Sequence, residues 1–546
     1  MSDIEKGHEL ANRDLEHGNR HLEPADKDLD LATKEPVEGS ERAEGSEQAS
    51  TIGGVGGRWA RRLLALGVEE RGVAPVPAAH RTDASYDKIF FVWASMNTNI
   101  LSFSAGTLGP VVYGLSLRDS CLVILFFNLL CAAPPAYLTT WGPKTGMRQM
   151  VQARYSFGYF GVILPCILNL IGMCGFCILN SILGGQTLAS VSSDNLSWTV
   201  GIVIITIVSL FISFCGYKVL TWYERVAWIP VVIVYVVALG VGGKHLYDVP
   251  APADPVTAAT AGTADPATAG TVLSFASVIV GFVVTYAPLA SDFTIYFKPG
   301  APSQRLFWYS YLGFLLPIVT LQCLGAAVAA AAPSVPAWEA GYAGENVGGL
   351  VEAMLRPAGG FGKFLTVLLS LSVAGNIAAT FYSMSLNLQL FVPWLWRVPR
   401  YVFSVVGTAI VIPLAIVGAH SFYDTLTNFL SLIGYWAGAF IAVILLEHWV
   451  FRKGDLAAYD ARIWNDARVW NDARVAGGHG GLPSGLAAVG AAVASFGLVV
   501  PGMEQVWFVG PIAKTTGDLG FEFAFLATAI LYIPFRSLEI RIRGRL

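Results

Sequence analysis

Several aromatic, amide and hydroxyl side chains stand at spacings that suit a flat ligand with polar edges. Phe176 and Asn180 in "GFCILNSILGGQ", and Asn376 and Thr380 in "SLSVAGNIAATFYSMSLNLQ", lie four residues apart and so share a helical face. A planar ring is held by an aromatic face together with groups that reach its edge, and asparagine offers a donor and an acceptor at once. Tyr286, in "GFVVTYAPLASDFTIYF", supplies a second ring, and Ser95 and Asn97, in "SMNTNILSFSAGTLGP", put further polar groups into an apolar run. Other chemistries find no support. A membrane enzyme needs His, Asp or Cys gathered near one face, whereas His420 and His448 lie near span ends on opposite sides of the membrane. The seven cysteines fall inside or beside apolar runs, where they pack as small hydrophobes, and Cys174-Gly-Phe-Cys177 lacks the βαβ context of a redox pair. No catalytic, metal-binding or cofactor-binding residue is expected, and no nucleic-acid partner.

The elements that must position these groups are membrane helices. The 546 residues are 54% hydrophobic and 13% charged with a mean hydropathy of +0.56, outside the range of soluble globular chains. Twelve apolar windows, centred near residues 100, 130, 175, 207, 235, 280, 318, 375, 409, 438, 493 and 527, are each long enough to span a bilayer. Residues 1–80 are charged and poor in aromatic and β-branched residues, which predicts a disordered cytoplasmic tail; residues 81–540 are expected to form the membrane domain, and 541–546 a short cytoplasmic end. Bases concentrate in alternate loops, including Lys144, Arg148, Arg154, Lys218, Arg225, Arg452 and Arg536, which places both termini in the cytoplasm.

Two spans are interrupted. Span six breaks at Ala287-Pro288 with Ser291-Asp292, and span one at Asn97 and Asn99, followed by Gly106, Gly109 and Pro110. Backbone broken inside a bilayer persists only where protein or a cavity satisfies it, so two breaks five spans apart mark an inverted-repeat transporter with its site at the midplane. A pair of proline-kinked packing helices is the plainer reading. Asp292 is a candidate cap for the second half of span six or a gating residue. The tandem "ARIWND ARVWND ARV" at 461–475 reads as a duplication in a tolerant loop or as a partner-docking element.

The motifs "SFSAGTLGP" (102–110), "GPKTGMRQMVQARYSFGYFG" (142–161), "GGQTL" (184–188), "YERVAWIP" (223–230), "YAPLASDFTIY" (286–296), "IGYWAGAFIAVILLEHWVFRK" (433–453) and "RSLEI" (536–540) resemble, in order and spacing, the nucleobase:cation symporter-1 family, in its fungal purine-cytosine permease branch. The resemblance implies an all-α, twelve-helix fold of five-plus-five inverted (LeuT-like) repeats with two added helices. It also implies symport of a planar heterocycle with a cation, a proton rather than sodium, at the plasma membrane. By the same resemblance Phe176 and Tyr286 stand where tryptophans are common. Asn376 fits the first asparagine of an Asn-Asn-x-Pro-Asn run whose remaining positions are Ile377, Ala379 and Thr380, and this departure leaves another heterocycle, such as vitamin B6, as an alternative to cytosine or adenine. Glu224 resembles the family's acidic residue in span five and is a candidate proton carrier, or else an ion-pair partner of Arg225 or Lys218. Ser370 and Ser372 offer hydroxyls where a sodium ligand could lie. Glu447-His448 is expected to anchor span ten at the inner surface.

Overall fold

In the computed structural model, residues 72–192, 195–214, 217–247, 268–391, 395, 398, 400–465 and 482–544 are described. The principal helices are α1 (Lys88–Asn97), α2 (Ile100–Val111), α3 (Leu117–Cys131), α4 (Gln149–Gly161), α5 (Ile163–Ser190), α6 (Trp198–Ser213), α7 (Tyr217–Val226), α8 (Trp228–Gly242) and α9 (Ala269–Val284). They continue with α10 (Ser303–Ala331), α11 (Val347–Leu355), α12 (Gly359–Leu371), α13 (Val373–Phe391), α14 (Arg400–Gly418), α15 (Phe422–Leu446), α16 (Leu486–Gly502) and α17 (Gly520–Arg543). A two-residue antiparallel pairing, Glu504–Gln505 with Phe508–Val509, is the β-structure of named strands among the described residues. The centre of every one of the twelve apolar windows falls in a helix. Among the described residues, eight helical segments are long and apolar enough to cross a membrane. Two of these, Val347–Phe391 with 45 residues and Val402–Phe451 with 50, exceed the roughly 20 that one crossing needs.

The break in span one separates α1 from α2 at Thr98 and Asn99. Asn99 is extended at φ −148° and ψ 175°, and its side chain accepts the Ser102 amide at 3.1 Å, which starts α2. The carbonyls released by the break find side-chain donors: Ser102 reaches the Asn97 carbonyl at 2.6 Å, and Asn376 of α13 reaches that of Met96 at 2.9 Å. Span six stops being α-helical at Val284 and runs on as a 3₁₀ helix, Ala287–Phe293, with every residue buried. Ser291 donates to the Leu138 carbonyl at 2.8 Å and Thr294 to that of Thr139 at 2.8 Å, so the irregular segment is fastened to the short helix Ala133–Thr139 that follows α3. Both interruptions are therefore satisfied internally, as a bilayer requires.

Four expectations are corrected by the packing. Residues 72–80, read as the end of the tail, belong to the packed body: Val73 and Val76 are buried, and the Val76 amide donates to the Gly146 carbonyl at 2.8 Å. The rest of the tail, the greater part of the loop after α8, the repeat beyond residue 465 and the last two residues lie outside the described residues. Arg148, Arg154 and Arg536, counted as loop charges, are 2%, 2% and 1% exposed, so they are internal structural cations rather than interfacial ones. Glu447 and His448 are buried too and do not form an interfacial anchor. Glu447 accepts from Tyr532 at 2.8 Å, from Arg536 at 3.0 and 3.1 Å, and from Arg452 at 3.1 Å, which ties the end of α15 to α17. Finally, Asp292 does not cap span six: it sits near the end of the 3₁₀ helix, and its carboxylate accepts the Gln149 amide at 3.0 Å, at the start of α4.

The first copy of the hexapeptide repeat is engaged rather than loose. Arg154 donates to the Trp464 carbonyl at 2.8 Å and the Asn465 side chain at 2.9 Å, and its guanidinium lies 5.4 Å from the Trp464 ring centre.

Candidate functional site

A small cavity of about 20 Å³ lies between α1, α5, the break of span six, α13 and α15. Its side walls are two antiparallel helices. Asn180 of α5 donates to Asn376 of α13 at 3.1 Å, and Asn169 donates to Asn387 at 3.2 Å. Between these two bridges α5 contributes Asn169, Gly172, Met173 and Phe176, and α13 contributes Asn376, Ala379, Thr380 and Ser383. Each set follows the i, i+3, i+4, i+7 spacing of one helical stripe. Met96, Thr285, Tyr286, Leu289 and Trp436 close the remaining sides.

The rings of Phe176 and Tyr286 face one another across this space, their centroids 6.4 Å apart and their planes 25° from parallel. A flat ring placed between two others makes a contact of about 3.5 Å on each side, so it needs about 7 Å. The pair is thus within roughly an ångström of the spacing for a sandwich. Tyr286 is fixed from behind by its hydroxyl, which donates to Asn97 at 2.9 Å, and its ring meets Trp93 and Phe314.

Of the residues singled out from sequence, Phe176, Tyr286, Asn376 and Thr380 line the cavity. Asn180 stands behind the wall: its amide donates to the Phe176 and Asn376 oxygens, while its own oxygen is buried with no partner among the described residues. Asn97 acts through Tyr286 and does not reach the cavity. Asn376 is engaged at both ends, and the Thr380 hydroxyl donates to the Asn376 carbonyl at 2.7 Å. Ser370 donates to the Val367 carbonyl at 2.7 Å, and Ser372 has no partner among the described residues.

Glu224 is 1% exposed, and neither carboxylate oxygen has a hydrogen-bond partner among the described residues. The ion pair with Arg225 is not formed, because that guanidinium binds Asp87 at 2.9 Å; the Lys218 side chain lies outside the described residues. Ser95 is the polar neighbour of Glu224 on α1, and on α13 Gly375 leaves it room. A methyl group at Gly375 would meet Glu224 Oε1 at 2.9 Å, closer than side chains pack. Ser95, Asn97, Glu224 and Asp292 therefore form no part of the cavity lining.

Sequence reasoning passed over Met96, Asn169, Gly172, Met173, Thr285, Leu289, Ala379, Ser383 and Trp436. The signal for six of them was present, since extending the stripes from Phe176 and Asn376 by three, four and seven residues reaches Met173, Gly172, Asn169, Ala379 and Ser383, and Trp436 lies in the quoted "IGYWAGAF" run.

Residues 75–510 match a family model described as a permease for cytosine/purines, uracil, thiamine and allantoin. The chain is 34% identical over 490 residues to the purine-cytosine permease fcyB of Emericella nidulans, which covers 89% of this chain and 92% of that protein. It is 29% identical over 526 residues to the vitamin B6 transporter TPN1 of Saccharomyces cerevisiae, covering 89% and 90%. Among solved structures it is similar to Mhp1, a nucleobase-cation-symport-1 family transporter, in a closed conformation with bromovinylhydantoin bound, with a TM-score of 0.62, 15% identity and coverage of 86% and 96%. The fold is accordingly that of the Mhp1-like helical transporters, embedded in the membrane by several apolar helices, and the molecule is a permease and not an enzyme. On the extent of the family match and the identity to its fungal relatives, the chain belongs to the nucleobase:cation symporter-1 permeases, in their purine-cytosine permease branch.

Proposed function

We propose that this permease imports a nucleobase or a related planar heterocycle of the purine or cytosine type by proton symport, through alternating access. The observation that carries the reading is the facing pair Phe176 and Tyr286, nearly at sandwich spacing inside a cavity walled by amides and hydroxyls. In this reading Phe176 and Tyr286 stack on the ring, Asn376 and Thr380 bind its edge when their present hydrogen bonds exchange for ligand ones, and Asn180, Ser95 and Asn97 hold that shell in place. Glu224 carries the coupling proton: a buried carboxylate without a fixed partner changes charge more readily than one held by cations. Asp292 couples the break of span six to the start of α4 and so serves gating.

The twelve apolar windows and the loop bases that are not buried, Lys144 and Arg225 among them, support twelve crossings with both termini cytoplasmic, and the family supports a five-plus-five inverted repeat with two added helices at the plasma membrane. Import of vitamin B6 is the second reading. It is favoured by the similarity to TPN1 and by the replacement of two edge-binding amides with Ile377 and Thr380, with Ala379 in place of the proline between them. Uptake of radiolabelled cytosine, adenine, hypoxanthine and pyridoxine by cells lacking their own permeases, with and without an uncoupler, tests both. Nucleobase uptake abolished by the uncoupler is expected, and uptake of pyridoxine alone selects the second reading.

A further inference from the structure

The cavity continues past the aromatic pair. From Phe176 back to Asn169 the α5 stripe covers seven residues, about 10 Å of helix rise, which is longer than a single ring sandwiched at one end requires. The far end is lined by Asn169, Met173, Ser383 and Trp436. Its polar groups differ from those near Phe176, where Asn376, Thr380 and Tyr286 are each engaged in hydrogen bonds. Trp436 is 7% exposed and Ser383 is fully buried, yet neither the indole Nε1 nor the hydroxyl oxygen has a partner among the described residues. Buried donors are nearly always paired, and an indole N–H can only donate. Two such groups on facing walls of one cavity, one from α13 and one from α15, are the arrangement of a recognition site awaiting an acceptor.

We infer that Trp436 and Ser383 form a second, donor subsite that reads an oxygen acceptor on the edge of the substrate remote from the Phe176–Tyr286 pair. The inference rests on the cavity being the transport site. It narrows the substrate class to oxo-substituted heterocycles, the 6-oxopurines above all, over amino-substituted ones. An amino group placed there presents a donor to a donor and leaves the indole N–H unmatched, and a site built around a hydrogen bond discriminates strongly against a ligand that cannot complete it. The apolar neighbour Met173, and Phe440 in edge contact with Trp436 at 6.0 Å, keep the far end dry enough for that difference to count.

The test is competition uptake with the full chain in permease-deficient cells, with hypoxanthine and adenine as the probes and surface amount followed by a fluorescent tag. Trp436→Phe deletes the N–H and keeps an aromatic ring; it is expected to raise the KM for hypoxanthine about tenfold more than that for adenine. Ser383→Ala, which removes a single oxygen atom, is expected to act in the same direction, by about fivefold. Equal loss for both bases, or unchanged hypoxanthine uptake in Ser383→Ala at normal surface amount, overturns the subsite while leaving the transport reading intact. Absence of hypoxanthine and adenine uptake in the unmodified protein overturns the transport reading for purines, and the subsite with it.

Discussion

Glu224 and Glu447 are the same residue under the same burial, 1% and 0% exposed, yet their surroundings are opposite. Glu447 takes four donated hydrogen bonds from Tyr532, Arg536 and Arg452, and Arg536 continues to Glu539 at 3.0 Å. Glu224 has a serine beside it, a glycine in front of it and no fixed cation among the described residues. Burying a charge is tolerated when paired donors replace water, and a carboxylate so surrounded is held in one charge state. One without them lacks that restraint, which is what the proton-carrying role proposed for Glu224 asks for. The contrast separates a residue that builds the molecule from one that the proposal puts to work.

Substitutions sharpen that contrast, taken from the largest effect on the folded protein or its complex to the smallest. Glu447→Ala removes the acceptor of two guanidiniums and should destabilise the protein by about 3–5 kcal/mol. Fluorescence-detected size-exclusion profiles after heating should show its early loss, and a profile matching the parent would end the distinction. Asn180 stands between the two cases, with its amide engaged and its oxygen without a partner among the described residues. Asn180→Ala should weaken substrate binding by about 1–3 kcal/mol, read as a raised KM at normal surface amount. Gly375→Ala puts a methyl group against Glu224; overpacking by about 1–2 kcal/mol should lower uptake while the protein still reaches the membrane. Glu224→Gln should leave thermal stability near the parent value and flatten the pH dependence of uptake. A stability loss as large as that of Glu447→Ala, with the pH profile retained, would return Glu224 to a structural role.

The helical character of the chain was legible because apolar windows of bilayer length announce themselves, and the two breaks were legible because Asn97, Asn99 and Pro288 are out of place in oil. What the breaks do locally was not. Asp292 is four residues past Pro288 and looks like a helix cap, but its partner is Gln149, more than a hundred residues away, and only tertiary packing brings them together. Glu447 and Arg536 similarly read as charges at span ends, since no local spacing reveals that one neutralises the other in the interior. Within the cavity, Phe176, Tyr286, Asn376 and Thr380 were found by side-chain chemistry. Gly172, Ala379 and Met173 carry no chemical signal of their own, and the stripe to which they belong becomes visible only once its two ends are known.

The two asparagine bridges between α5 and α13 have a mechanical meaning. Asn169 and Asn180 are eleven residues apart, and so are Asn376 and Asn387. Eleven residues close three whole turns with about 20° to spare, so both rungs lie on the same side of their helices and at the same separation. Slippage of either helix by one residue, about 1.5 Å, would misalign both rungs together. The two helices are thereby braced like the uprights of a ladder, so that under the proposed alternating access a change in the width of the cavity is expected to fall to the wall bearing Tyr286 rather than to the ladder.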